Sequence, residues 1–544
     1  MSILVLCLAR RRRGCLHAFG VDRFKNTIQS TKTIMQKESR VKKSLLNARV
    51  NLIFYFLTLA LSFFSRKIFL DNLGADFIGL TGTVGNLLGF LNLAESGVSA
   101  AIAVVLYAPL YEHNQQKIKE IVSVMGYLYH TVGKIILCGG LLLSCFFPLM
   151  FSNEGLDFSI IYLTFFAFLG SSLIGYFINY KQVLLSADQR NYVVAAYSQS
   201  ANLIKILLQM VLAYYTRNCY LWVAVEFAFG ILYSVILNWK IKQVYPWLKT
   251  ELKKGKALCR EYPEVMRYTK QLFIHKIASV VYNQATPILV YAYASLQAVA
   301  YYGNYTIITS KLSVLLGNFL GGTNASVGNL ISEGDKDRIL KVYWELISIR
   351  FLFVGVTVFA MYHLLPPFIA LWLGMEYIMS QTLLVLVLIS YALGIIRGVT
   401  EEFTFGYGLF SDVWAPFVEA AILISVAIVG GNFLGLEGTL LGTITSTIII
   451  VYIWKPYFLF TRGFKISVWV YWKELVKYLL AFAGSLYIST ILLRNIHIQL
   501  SFFENWLDWI FYAMIVVTLF IIVFGVALLL LTKGTRNLFY RLIK

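Results

Sequence analysis

The stretch LDWIFYAMIVVTLFIIVFGVALLLL (507–531) holds one charged residue, Asp508, and runs into TKGTRNLFYRLIK (532–544), which has four basic residues and no acidic one. A helix rising 1.5 Å per residue carries such a run about 37 Å, enough to cross a hydrocarbon core of about 30 Å. Working outward, comparable apolar runs recur at 45–67, 78–106, 121–151, 158–180, 194–215, 219–239, 272–294, 299–321, 339–364, 379–397, 412–433, 437–460 and 474–493. Gly, Asn, Ser and a charge interrupt the second and the eighth. The pattern predicts an all-α polytopic membrane protein with about fourteen transmembrane helices, as two six-helix lobes plus two accessory helices. Composition agrees: 59% of the 544 residues are apolar and 14% charged, against roughly 45–50% and 25% in soluble chains. Mean hydropathy is +0.71. A water-soluble globular enzyme is excluded. Six cysteines (7, 15, 138, 145, 219, 259) make no CxxC pair and sit mostly in apolar runs, so neither a disulfide framework nor a zinc site is indicated.

The net charge is +20, and its distribution sets the orientation. With the amino terminus in the cytosol, 39 of the 47 basic residues fall on the cytosolic side, ten of them between Lys240 and Lys276. The outer loops keep only Arg66, Lys67, Arg217 and Arg494. Lys and Arg are retained on the cytosolic side, so both termini are expected there. The basic excess is thus topology, and a nucleic-acid partner is excluded. MSILVLCLARRRRG (1–14) has an apolar run too short to span, placed before its arginines rather than after them as in a signal peptide. Residues 1–34 are expected to be a surface-lying tail or an untranslated leader, with translation beginning at Met35.

The domain reading follows: a cytosolic tail at 1–44, a first lobe at 45–240, a basic linker at 241–271, a second lobe at 272–460, accessory helices at 461–532 and a tail at 533–544. A faint repeat supports the division. FIGLTGTVGNLLGFLNLAESGVSAA (77–101) and YYGNYTIITSKLSVLLGNFLGGTNA (301–325) align without gaps, matching Gly79 to Gly303, Gly97 to Gly321 and Ala101 to Ala325. Two-lobed transporters are built from such repeats, with the substrate path between them.

No GxxxxGK[ST], HExxH or GxSxG occurs, so nothing in the chain couples ATP hydrolysis and no covalent chemistry is indicated. What remains is charge inside apolar segments. A Lys, Arg or Asp at a helix centre costs about 2.5–3.5 kcal/mol on insertion scales, so such residues should face one another or water. Residues three and four apart share a helix face. Asn51, Tyr55, Thr58, Ser62 and Arg66 form one stripe on the first helix, and Asn92, Glu95 and Ser99 another on the second. Ser198, Asn202, Lys205 and Gln209 do so on the fifth, and Lys276, Ser279, Asn283 and Thr286 on the seventh. On the eighth, Asn304, Lys311 and Asn318 are seven apart. These stripes predict a hydrated, electropositive cavity for an anionic substrate, lined by Arg66, Lys205, Lys311, Asn202, Asn283, Asn304 and Asn318.

Each assignment has a plainer reading. Arg66 lies near a helix end and could reach the headgroups. Glu95 is either a coupling group or one half of a structural ion pair. Lys134 has no polar stripe and reads as snorkelling or salt-bridged, and Arg350 reads as packing. Arg397 and Glu401, four apart near the cytosolic end of a helix, form either an interfacial salt bridge or a gate. Glu226 and Glu419 carry no assignment. Glycines 85/89, 317/321 and 431/435 have the GxxxG spacing that lets helices approach closely, and Pro287 could bend the seventh helix.

SRKIFLDNLGADFIGLTGTVGNLLGFLNLAESGVSAAIAVVLYAPLYEHNQQKI (65–118) resembles the bacterial polysaccharide exporters, the Wzx-type flippases of the multidrug/oligosaccharidyl-lipid/polysaccharide exporter superfamily. The family's motif positions are met by Arg66 with Phe69, Leu73-Gly74, Gly79-Leu80, Ala94-Glu95-Ser96-Gly97, and Leu106-Tyr107 with Pro109. YYGNYTIITSKLSVLLGN (301–318) resembles the family's eighth helix. The resemblance implies a transporter in the bacterial plasma (inner) membrane that flips undecaprenyl-diphosphate-linked oligosaccharide units outward by alternating access. It implies cationic cavity residues, help from an H+ or Na+ gradient in place of any cofactor, and polysaccharide polymerases as partners besides the membrane lipids. Alternatives are a lipid II flippase, a cation-coupled multidrug exporter of the same superfamily, and a membrane polysaccharide polymerase. The short outer loops disfavour the last.

Overall fold

The computed structural model describes residues 40–495 and 505–543, apart from 96, 153–154, 189, 321–322 and 410; most side chains within 40–48, 271–283 and 318–326 also lie outside it. The expected tail at 1–34 therefore lies outside the described residues. The main elements are α1 (Arg40–Leu73), α2 (Ala75–Leu91), α3 (Val98–Tyr111), α4 (Gln115–Ser144), α5 (Phe158–Phe177), α6 (Asn191–Thr216), α7 (Cys219–Val244) and α8 (Gly255–Glu261). After these come α9 (Pro263–Tyr293), α10 (Leu296–Leu320), α11 (Thr323–Glu333), α12 (Lys336–Trp372), α13 (Gln381–Gly406) and α14 (Ala415–Phe464). The chain closes with α15 (Trp469–Asn495), α16 (Trp506–Leu531) and α17 (Lys533–Ile543). The fold is all-α and polytopic.

Among the described residues, nine helices are long and apolar enough to cross a membrane. The stretches of the other five expected crossings are helical as well. The continuous run α14 reverses at Gly435, whose backbone (φ 58°, ψ −129°) is one that side chains disfavour. The reversal brings Gly438 so close to Gly430 that a methyl on Gly438 would sit 1.9 Å from the Gly430 carbonyl oxygen, so α14 is an antiparallel pair. α2 and α3 are the halves of the second span, broken at the 3₁₀ turn Asn92–Glu95 and at Gly97 (φ 99°), where the sequence loses its apolar run. α6, α9 and α10 are long enough but too polar to pass as apolar spans. Four of the five are the spans on which the sequence places polar stripes.

Helix starts are fixed by side chains that accept the first free amides. Asn114, Asp157, Asn218, Asp335, Ser380 and Asn505 each do so. α9 begins at Pro263 rather than near 272, because a polar first turn is helical outside the apolar zone. α12 runs through Pro366 and Pro367 to Trp372.

Helices α1–α7 pack among themselves, and α9–α14 form a second bundle. The bundles meet where α2 lies against α9 and α10, and α3 against α9, so the two repeat segments face each other. α15 and α16 attach to the second bundle through α12, with Phe359 stacked on Phe520 at 4.2 Å and Gly355 leaving room for the Phe524 ring. The linker docks on α4: Tyr262 donates to Glu120 (2.6 Å) and the Glu251 amide to Ser123 (3.0 Å). One end of the bundles carries this linker and is the basic face; the other is the opposite face. Phe63, Phe368, Trp372, Trp506 and Trp509 cluster near the opposite face, as aromatic residues do at membrane interfaces.

Candidate functional site

The site is best built from Arg66, on α1 near its opposite-face end. At 1.5 Å per residue it lies roughly 10 Å inside the end of the helix, a depth at which a guanidinium must find acceptors. It finds them on the other bundle. Arg66 Nε donates to Asn304 Oδ1 (2.6 Å) and Nη2 to the Ala300 carbonyl (2.7 Å), both on α10. Gly303 makes room for it, since a Cβ there would stand 3.0 Å from Arg66 Nη2. Asn304 is fully buried, and with its oxygen engaged its Nδ2 has no hydrogen-bond partner among the described residues.

One step toward the basic face, Tyr55 of α1 donates to the Lys311 carbonyl (2.8 Å), and the Lys311 ammonium stands 5.9 Å from the Tyr55 ring centroid. Among the described residues no carboxylate lies within ion-pair distance of Arg66 or Lys311. Two cations therefore sit at the α1–α10 contact, Arg66 of α1 against Ala300 and Asn304 and Lys311 of α10 two helical turns beyond Asn304, and among the described residues each has only neutral partners.

Lys205 is different. It is ion-paired with Glu226 of α7 at 2.6 Å, and Gln209 completes the group by donating to Glu226 (3.0 Å). Its charge is matched inside the first bundle by Glu226, a residue to which the sequence assigns no role, so Lys205, expected as a cavity-lining cation, is held in an ion pair. Asn202 is half-buried on α6. The side chains of Asn283 and Asn318 lie outside the described residues. Glu95 accepts from Tyr129 (2.8 Å) beside Asn92, which accepts from Ser172 and Tyr176 (3.0 Å each). Arg397 binds Glu401 (2.8 Å) and Glu419 (3.2 Å), tying α13 to α14 within one bundle. Arg350, expected to serve packing, is buried and is held by an ion pair with Glu402 and a hydrogen bond to the Ile395 carbonyl (2.8 Å). Lys134 is exposed on α4.

Of the acceptors, sequence reasoning picks out Asn304 but neither the Ala300 carbonyl nor Glu226. The Ala300 carbonyl left no mark in the sequence. Glu226 did: Lys205 is the only charged residue of α6 and Glu226 the only acidic residue of α7, the next helix along the chain. Among the described residues, none of the expected site side chains lines the cavity of about 580 Å³ that lies between α12, α13, α14 and α15. Its walls are apolar, including Phe351, Val358, Leu388, Leu479 and Leu486.

No protein-family model matches the sequence, and no curated protein matches it. Solved structures do. A lipid II flippase MurJ in an inward closed conformation has a TM-score of 0.63 at 15% identity, covering 92% of this chain and 100% of that one. An inward-facing multidrug resistance MATE family transporter of the MOP superfamily has a TM-score of 0.57 at 14% identity, covering 75% of this chain and 97% of that one. The chain has the fold of these superfamily transporters.

Proposed function

We propose that the chain flips an anionic lipid-linked oligosaccharide, an undecaprenyl-diphosphate repeat unit, from the cytosolic to the outer leaflet. The bundles alternate access, and the basic face is cytosolic. The observation that carries this reading is Arg66, a cation deep between the bundles with neutral acceptors only. Removing such a charge from water is costly unless an opposite charge meets it, and a diphosphate supplies that charge through charge-assisted hydrogen bonds. Lys311 offers a second contact toward the basic face. The apolar cavity beside α15 suits a lipid chain. No step requires covalent chemistry.

Replacing Arg66 and Lys311 together with Gln should abolish export of surface polysaccharide and leave repeat units in the cytosolic leaflet, with protein levels intact. Normal export by that variant would remove both from the site. A lipid II flippase is the second reading, favoured by the full coverage of the MurJ chain; rescue of cells depleted of their own lipid II flippase would select it.

A further inference from the structure

We propose that Arg66 is also the latch of the opposite face, and that an anionic headgroup opens this face by displacing the latch; the inference rests on the anion-binding reading above. Links between the bundles gather toward the opposite face. Arg66 reaches Asn304 and Ala300, Tyr291 donates to the Met150 carbonyl, and Trp372 Nε1 donates to the Phe63 carbonyl (2.9 Å). There α2 and α10 touch backbone to backbone at Gly79 and Leu296.

Of these links only Arg66 carries charge, and its acceptors are an amide oxygen and a peptide carbonyl. Nε and Nη2 are the two donors of one edge of the guanidinium, the edge that grips phosphate or carboxylate with two parallel hydrogen bonds. That edge is the one spent on Asn304 and Ala300. A phosphate oxygen pair is a stronger acceptor than either, because it adds a negative charge on the acceptor side of both bonds and matches the fork of the guanidinium. Anion and latch therefore compete for the same two N–H groups, and seating the anion frees α10 from α1. Asn304 is the latch's half on α10: its oxygen holds the arginine while its Nδ2 has no partner among the described residues.

The test uses the full chain in nanodiscs, with its six cysteines replaced by Ser and spin labels placed through Asp76→Cys on α2 and Gln297→Cys on α10, both exposed. Undecaprenyl diphosphate is the probe and undecaprenol the uncharged control. The diphosphate should add a population at longer distance and undecaprenol none. Asn304→Ala should show that population without lipid and bind the diphosphate about tenfold tighter, the worth of one released hydrogen bond to a charged group at the low end of its range. Diphosphate binding with an unchanged distance distribution overturns the latch and leaves the anion site standing, the anion then using the Nη1 edge. Weaker binding by Asn304→Ala also overturns it, since Asn304 would then be a ligand and not a competitor. No binding by the parent chain overturns both readings.

Discussion

At the scale of single residues, the chain separates two kinds of intramembrane cation. Lys205 has Glu226 at 2.6 Å, whereas Arg66 and Lys311 have carbonyls, an amide and an aromatic ring. Breaking a buried pair leaves one charge unmatched and costs about 3–5 kcal/mol, while replacing both partners by apolar groups is often near neutral. Glu226→Gln should therefore lower the thermal midpoint clearly, and Lys205→Met with Glu226→Met should restore most of it, as read by melting in detergent. Equal loss in both variants would show that the pair has a role beyond charge balance. The sequence carried half of this distinction. Helical spacing picked out Arg66, Asn304 and Lys311 as members of polar faces, and the structure brings all three to the α1–α10 junction. It could not rank them against Lys205, because the rank is set by Glu226 and by the Ala300 carbonyl, and partner choice across helices leaves no periodic mark.

At the scale of elements, glycine decides where helices touch and turn. A Cβ on Gly79 would stand 1.8 Å from the Leu296 carbonyl oxygen, whereas nothing lies within 4 Å of one on Gly85. Gly79→Ala should loosen the opposite face, measured as faster thiol labelling of Gln297→Cys, while Gly85→Ala should leave labelling unchanged. Both sites are in α2, so helix propensity, about 1 kcal/mol in favour of Ala, cancels between them. At Gly435 the backbone is closed to side chains, so Gly435→Ala should cost about 1–3 kcal/mol in strain, visible as a lower thermal midpoint. The helices at the fourteen expected positions were legible because crossing a bilayer demands long apolar runs, and the break at Asn92–Gly97 showed as lost hydropathy. The early start of α9 at Pro263 was not legible, since a helix continuing into water has no hydropathy signal. The GxxxG pairs were legible as spacing only. Gly89 meets Gln284 and Gly431 meets Tyr293, while Gly85 and Gly317 meet nothing.

At the scale of the whole molecule, two bundles joined along α2, α9 and α10 carry at their junction cations with no carboxylate partner among the described residues, and an apolar cavity on the second bundle's flank. This arrangement suits a substrate with an anionic head and a lipid tail. The most direct measurement is equilibrium binding of undecaprenyl diphosphate to the purified full chain and to Arg66→Gln, each checked for folding by its thermal midpoint. A guanidinium engaging the diphosphate through two charge-assisted bonds is worth at least about 2 kcal/mol, or roughly 30-fold in affinity. The parent chain should bind and the variant should weaken by at least that factor, with undecaprenol binding unchanged. Equal affinity for the diphosphate in a folded Arg66→Gln protein would contradict the account.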